Sequence, residues 1–122
     1  MFEKRRFHRI RCTVKSELTH SNINYPGRLE NISLNGALIS FSDGVVVPRD
    51  EECILTIHLE DEDTPFSLGV EVIHSNFTMI GIKFIASNVE TRLRLRNLLK
   101  RLTPEPDKLS RELQLFDRDC EE

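Results

Sequence analysis

Five cations, Lys4, Arg5, Arg6, Arg9 and Arg11, crowd the N-terminal KRRFHRIR stretch of a chain whose net charge is −3. Like charges repel, so such a cluster is either solvated or placed to meet an anion. Guanidinium suits the second role: its planar fork binds phosphate oxygens, or the O6/N7 edge of guanine, in pairs, and its face stacks on bases. A second stretch, NISLNGA, sets Asn31 and Ser33 two residues apart just before Asn35 and Gly36. Amide and hydroxyl so placed offer donors and acceptors for a polar ligand. The other reactive residue types form no such constellation. Ser33 has no His/Asp arrangement to make it a nucleophile. Cys12, Cys53 and Cys120 show no CxxC spacing and read as reduced thiols, two of them in the core. His8, His20, His58 and His74 never recur at ligand spacing, so no metal or cofactor is expected. No nucleophile–base or metal constellation appears, and an enzyme is not expected.

These side chains need a scaffold, and the alternation of apolar residues supplies one. Ile10, Cys12 and Val14 alternate with Arg11, Thr13 and Lys15, a half-buried strand. Tyr25-Pro26-Gly27 punctuates the chain. Residues 29–34 form a second strand with Ile32 and Leu34 on one face, leaving Asn31 and Ser33 pointing outward on the other. Asn35-Gly36 then reads as a two-residue hairpin turn, because both residues tolerate positive φ. Residues 37–41 return as a third strand. Beyond the turn-rich stretch 42–52, strands follow at 53–59, 66–72 and 80–84, separated by an acidic loop at 60–64 and a turn at Ser75-Asn76. Six short strands with regular turn signals suggest a small barrel or sandwich.

The period then changes. Ser87 and Glu90 have capping-box spacing, and Val89, Leu93, Leu95, Leu98, Leu99 and Leu102 carry helical periodicity. Their leucine face is expected to close the open end of the strand layer. Arg92, Arg94, Arg96, Lys100 and Arg101 form a basic face, read as solvent-facing or as meeting an acidic partner, and the carboxylates of 60–63 read as a solvated loop. Thr103-Pro104-Glu105-Pro106 ends this helix. Leu109, Leu113 and Phe116 mark a short second one before an acidic end. A hydrophobic content of 39% with 30% charged residues belongs to a globular rather than a disordered chain. No apolar run approaches the ~20 residues of a membrane helix, and no h-region follows the N-terminal charges. Membrane insertion is therefore not expected, and the cytoplasm is the default address.

Arg5-Arg6-Phe7-His8-Arg9 fits RxxxR, and Asn31-Ile32-Ser33-Leu34-Asn35-Gly36 fits (D/N)xSxxG. With the six-strand pattern, a GIKF-like last strand (81–84) and a following helix, the chain resembles the PilZ domain family of bacterial cyclic di-GMP receptors. The resemblance spans residues 4–101. It implies an all-β fold, a six-stranded antiparallel β-barrel followed by a C-terminal α-helix and a short second helix. Residues 1–102 would be the receptor domain and 103–122 an acidic helical extension outside the family's core. It also implies a ligand site: Arg5 and Arg9 gripping guanine edges and phosphates, Arg6 assisting, Asn31 and Ser33 contacting the ligand from the barrel surface, and Gly36 supplying the turn. Asn31 stands where Asp is commoner; it keeps an acceptor but lacks a carboxylate for guanine N1–H and N2–H. Because the chain starts almost on the motif, a stand-alone receptor is expected.

The resemblance implies cyclic di-GMP as ligand and an unidentified bacterial effector protein as partner, and a ligand-mediated dimer is compatible with it. Residues 1–7 are too charged to bury themselves, so the arm is expected to be mobile without ligand and to order over Asn31 and Ser33 when it binds. Two alternatives remain. One is a PilZ-type protein-interaction adaptor with weak or no nucleotide binding. The other is a basic-arm nucleic-acid-binding module. The acidic total charge and the lack of aromatics interleaved on a sheet face argue against nucleic acid as a partner.

Overall fold

The alternating segments pair into a closed antiparallel barrel. A computed structural model describes residues 7–120, with side chains to residue 115. Its elements are β1 (Ile10–His20), β2 (Ile23–Ile32), β3 (Gly36–Ser40), β4 (Glu52–Ile57), β5 (Phe66–Ser75), β6 (Met79–Ala86), α1 (Val89–Leu102) and α2 (Pro106–Cys120). The strand order around the barrel is β1-β2-β3-β6-β5-β4, with β1 pairing to both β2 and β4. Closure decides between barrel and sandwich: each strand pairs with a neighbour on both sides. Leu18, Leu29, Ile39, Leu55, Ile57, Val70, Val72 and Ile80 fill the interior. Leu95, Leu98 and Leu99 of α1 are buried, and the helix packs against β1 and β5. At ~1.5–3 kcal/mol for each fully buried side chain, these leucines dominate the docking of α1. Val89 and Leu93, read as part of the same apolar face, are instead exposed. Among the described residues no helix is long and apolar enough to cross a membrane.

The β1–β2 turn is Ser21-Asn22, with φ of 52° and 68°, the left-handed pair that a two-residue hairpin requires. Tyr25-Pro26-Gly27 does not break the chain but lies inside β2, with Pro26 opposite Glu17. Asn88, not Ser87, caps α1, its Oδ1 accepting the Thr91 N–H at 2.7 Å.

Parity in β2 departs from strict alternation. Leu29 and Ile32 are both fully buried, whereas Glu30 and Asn31 between them are half-exposed. Strict alternation would put Leu29 and Ile32 on opposite faces. The register explains the exception. Between Leu29 and Asn31, β2 advances two residues while β3 advances one, and between Arg11 and Val14 β1 advances three while β2 advances two. Two β-bulges thus flank Asn31. A bulge adds a residue to one strand and re-aims the side chains beside it, here keeping both Glu30 and Asn31 outside the core.

Candidate functional site

Arg11 lies directly opposite Asn31 in the β1–β2 ladder, so the two side chains share one face of the sheet. Arg9, exposed, stands two residues before Arg11, just outside β1. Arg11, Cys12, Glu30, Asn31, Leu38 and Met79 line an open concavity of about 590 Å³ on the outer wall of the barrel. Asn31 Oδ1 is buried and, among the described residues, has no hydrogen-bond partner. Leaving a buried acceptor unpaired costs ~1–3 kcal/mol, so such an atom marks a place where a polar ligand atom gains more than it would elsewhere. Arg11 belongs to the basic cluster but carried no assigned role from the sequence; only its pairing with Asn31 brings it into the site. Arg5 and Arg6 lie outside the described residues.

Ser33 and Gly36 serve the loop between β2 and β3. Ser33 is 4% exposed and so does not point outward as strand parity implied. Its Oγ donates to Asn35 Oδ1 at 2.8 Å and accepts the Asn35 N–H at 3.3 Å, while its backbone N–H donates to the Gly36 carbonyl at 2.8 Å. The Phe84 N–H donates to the Asn35 carbonyl at 2.9 Å, pinning the loop to β6. The connection therefore comprises residues 33–35, and neither Asn35 nor Gly36 has positive φ. Gly36 is needed for another reason: a Cβ there would stand 2.4 Å from the Ile82 carbonyl oxygen. It lets β3 approach β6 closely and so holds the motif loop against the barrel wall.

Cys12, in the concavity, is half-buried, and Cys53 is buried. Burial, with a smaller contribution from the Glu30 carboxylate, pushes the Cys12 thiol up to about 11. Burial and then Glu51 do the same to Cys53. Neither thiol is ionised at neutral pH, so neither is an activated nucleophile.

The N-terminal arm is less free than its charge implies. Phe7 is 4% exposed and packs into the core. The His8 backbone N–H donates to Glu112 Oε2 at 2.9 Å, its ring Nδ1 lies 2.8 Å from Glu112 Oε1, and Nε2 lies 3.4 Å from Thr103 Oγ1. The expectation of mobility through residue 7 therefore fails at Phe7, because an aromatic ring inside the basic run is worth burying. The acidic loop is likewise not simply solvated. Arg94 donates to Glu62 at 2.5 Å and to the Thr64 and Pro65 carbonyls and stacks on Phe66, while Arg101 pairs with Asp61 at 2.6 Å. Two of the basic residues of α1 thus meet an acidic partner within the chain.

The PilZ domain family model matches residues 3–101. A search of the curated proteins gives no match. Among solved structures, the PilZ domain of YcgR from Escherichia coli with c-di-GMP is similar at a TM-score of 0.71 and 12% identity, over 82% of this chain and 92% of that one. The PilZ domain of CeSA from a cellulose-synthesizing bacterium is similar at 0.64 and 20% identity, over 78% and 97%. MrkH of K. pneumonia in its c-di-GMP complex is similar at 0.62 and 16% identity, over 80% of this chain and 52% of MrkH, so the chain spans about half of that protein. At these identities the likeness is one of fold.

Proposed function

Because the chain belongs to the PilZ domain family, we propose that it is a cyclic di-GMP receptor that regulates a partner protein. The observation that carries this reading is the unpaired, buried Asn31 Oδ1 on the same barrel face as Arg11, with Arg9 one residue before the strand. A guanine N–H donates to Asn31 Oδ1. Arg9, with Arg5 and assisted by Arg6, meets phosphate oxygens and the O6/N7 edge of guanine. Ser33 and Gly36 act by shaping the loop that follows Asn31. A ligand with two phosphates and two guanines offsets the mutual repulsion of the arginines, and the ligand-bound surface differs in affinity for the partner. In this reading residues 1–102 are the receptor, residues 103–122 an acidic helical extension, the chain performs no catalysis, and it acts in the cytoplasm.

Calorimetric titration with cyclic di-GMP tests the proposal. Saturable binding that GTP, cyclic GMP and single-stranded DNA do not compete away is the expected result. Equal affinity for DNA with a steep loss on adding salt would instead mark a non-specific polyanion binder. One observation favours output through protein contacts: exposed Ile85 lines an apolar concavity of about 350 Å³ where β6 meets α1, and Val89 and Leu93 of that helix are exposed as well. A protein-interaction adaptor with weak or no nucleotide binding is the second reading, and the same titration separates it from the first.

A further inference from the structure

Glu112 lies on α2, beyond the segment that the family model matches, yet it is only 8% exposed. A buried carboxylate needs partners for its oxygens. Both oxygens of Glu112 face one residue of the arginine motif, His8: Oε2 takes its backbone N–H at 2.9 Å and Oε1 lies 2.8 Å from ring Nδ1. Thr103, the C-cap of α1, stands 3.4 Å from the other ring nitrogen through its Oγ1, and the same hydroxyl accepts the Glu105 N–H at 3.0 Å in the turn leading to α2. Leu109, one turn before Glu112, is buried at 2% and seats α2 against the core.

We infer that Glu112 is a positioning residue for the arginine motif: it fixes His8, and with it the point from which the adjacent Arg9 reaches the ligand face. The inference rests on the receptor reading. Its physical content is entropic. Phe7 and His8 are held before any ligand arrives, so the cost of ordering them is already met by folding rather than drawn from binding. A backbone N–H is the main point of attachment, so the clamp does not depend on the ring alone. The acceptor comes from 104 residues away in sequence, so the helix after the barrel becomes part of the site's construction.

The test compares the wild-type chain with Glu112→Ala, Glu112→Leu and Glu112→Gln, by titration with cyclic di-GMP and by backbone NMR order of Phe7, His8 and Arg9. Alanine and leucine remove the acceptor, and leucine keeps the buried volume. Each is expected to weaken binding about tenfold and to lower the order of those three amides while the strand amides stay unchanged. Glutamine retains a carbonyl for the His8 N–H and is expected to stay within about threefold of wild type. Unchanged affinity in the alanine and leucine variants overturns the inference. So does an equal loss in all three variants with the arm amides still ordered, the mark of a merely structural role. Should the acceptor-free variants not fold, hydrogen exchange of the wild-type His8 amide decides: protection is expected, and free exchange overturns the clamp. A wild-type chain that binds no cyclic di-GMP refutes the receptor reading itself, and the order of the ligand-free arm then decides the clamp independently.

Discussion

Replacing Asn31 by alanine should lower affinity without lowering stability. Most substitutions of buried groups destabilise, because they leave a cavity or strip a hydrogen-bond partner. Asn31 Oδ1 has no partner among the described residues to strip, and its burial carries a penalty that alanine removes. The side chain lies at the wall of an open concavity, so the space it leaves is continuous with solvent rather than a sealed void. The free protein should therefore change by less than ~0.5 kcal/mol, or gain up to ~1 kcal/mol. In the complex, the lost hydrogen bond and the ligand N–H left unpaired together cost ~1–3 kcal/mol, about 5- to 150-fold in dissociation constant. Calorimetric titration measures the second quantity and thermal or denaturant unfolding the first. A variant that loses more than ~1 kcal/mol of stability while binding cyclic di-GMP as tightly as wild type would refute the reasoning, because Asn31 would then be a structural residue.

Arg5→Ala and Arg9→Ala should each weaken cyclic di-GMP by ~1.5–3 kcal/mol, the worth of a charge-assisted hydrogen bond, with folding unchanged; titration of both variants checks this. Gly36→Ala should destabilise by ~1–3 kcal/mol in chemical denaturation, because the new methyl cannot share space with the Ile82 carbonyl, 2.4 Å from its position, unless β3 and β6 separate. Cys12 and Cys53 should resist alkylation at neutral pH, their thiols being held up near 11. The unfolded chain ionises its thiols near the ordinary 9.0, so their contribution to stability should be fully present below that pH and lost as pH rises toward 11, as a pH series of unfolding curves would record.

Local side-chain chemistry made much of this protein legible from its residues alone. Alternation over Cys53 to Ile57, Phe66 to Val72 and Ile80 to Ile82 marked β4, β5 and β6, because burying one face of a strand demands period two. The switch to helical spacing marked α1 and α2, and the pairing of RxxxR with (D/N)xSxxG pointed to a candidate site. What period two could not carry was the interruption of that period. The bulges beside Asn31 arise from how β1, β2 and β3 fit around a closed barrel, and they turn Glu30 and Asn31 outward together while Leu29 and Ile32 both go in. Gly36 looked like a turn glycine because its neighbour is Asn35; the reason for glycine is a carbonyl of β6, a strand far along the chain. Residues 1–7 looked too charged to bury themselves, since charge is a property of residue type. Whether His8 is held depends on where α2 brings Glu112, a contact between segments about a hundred residues apart that no local pattern encodes. Periodicity is a one-body property of each segment and can be read along the chain, whereas closure, bulges and the clamp on the arm depend on pairs of segments and exist only once the barrel has closed.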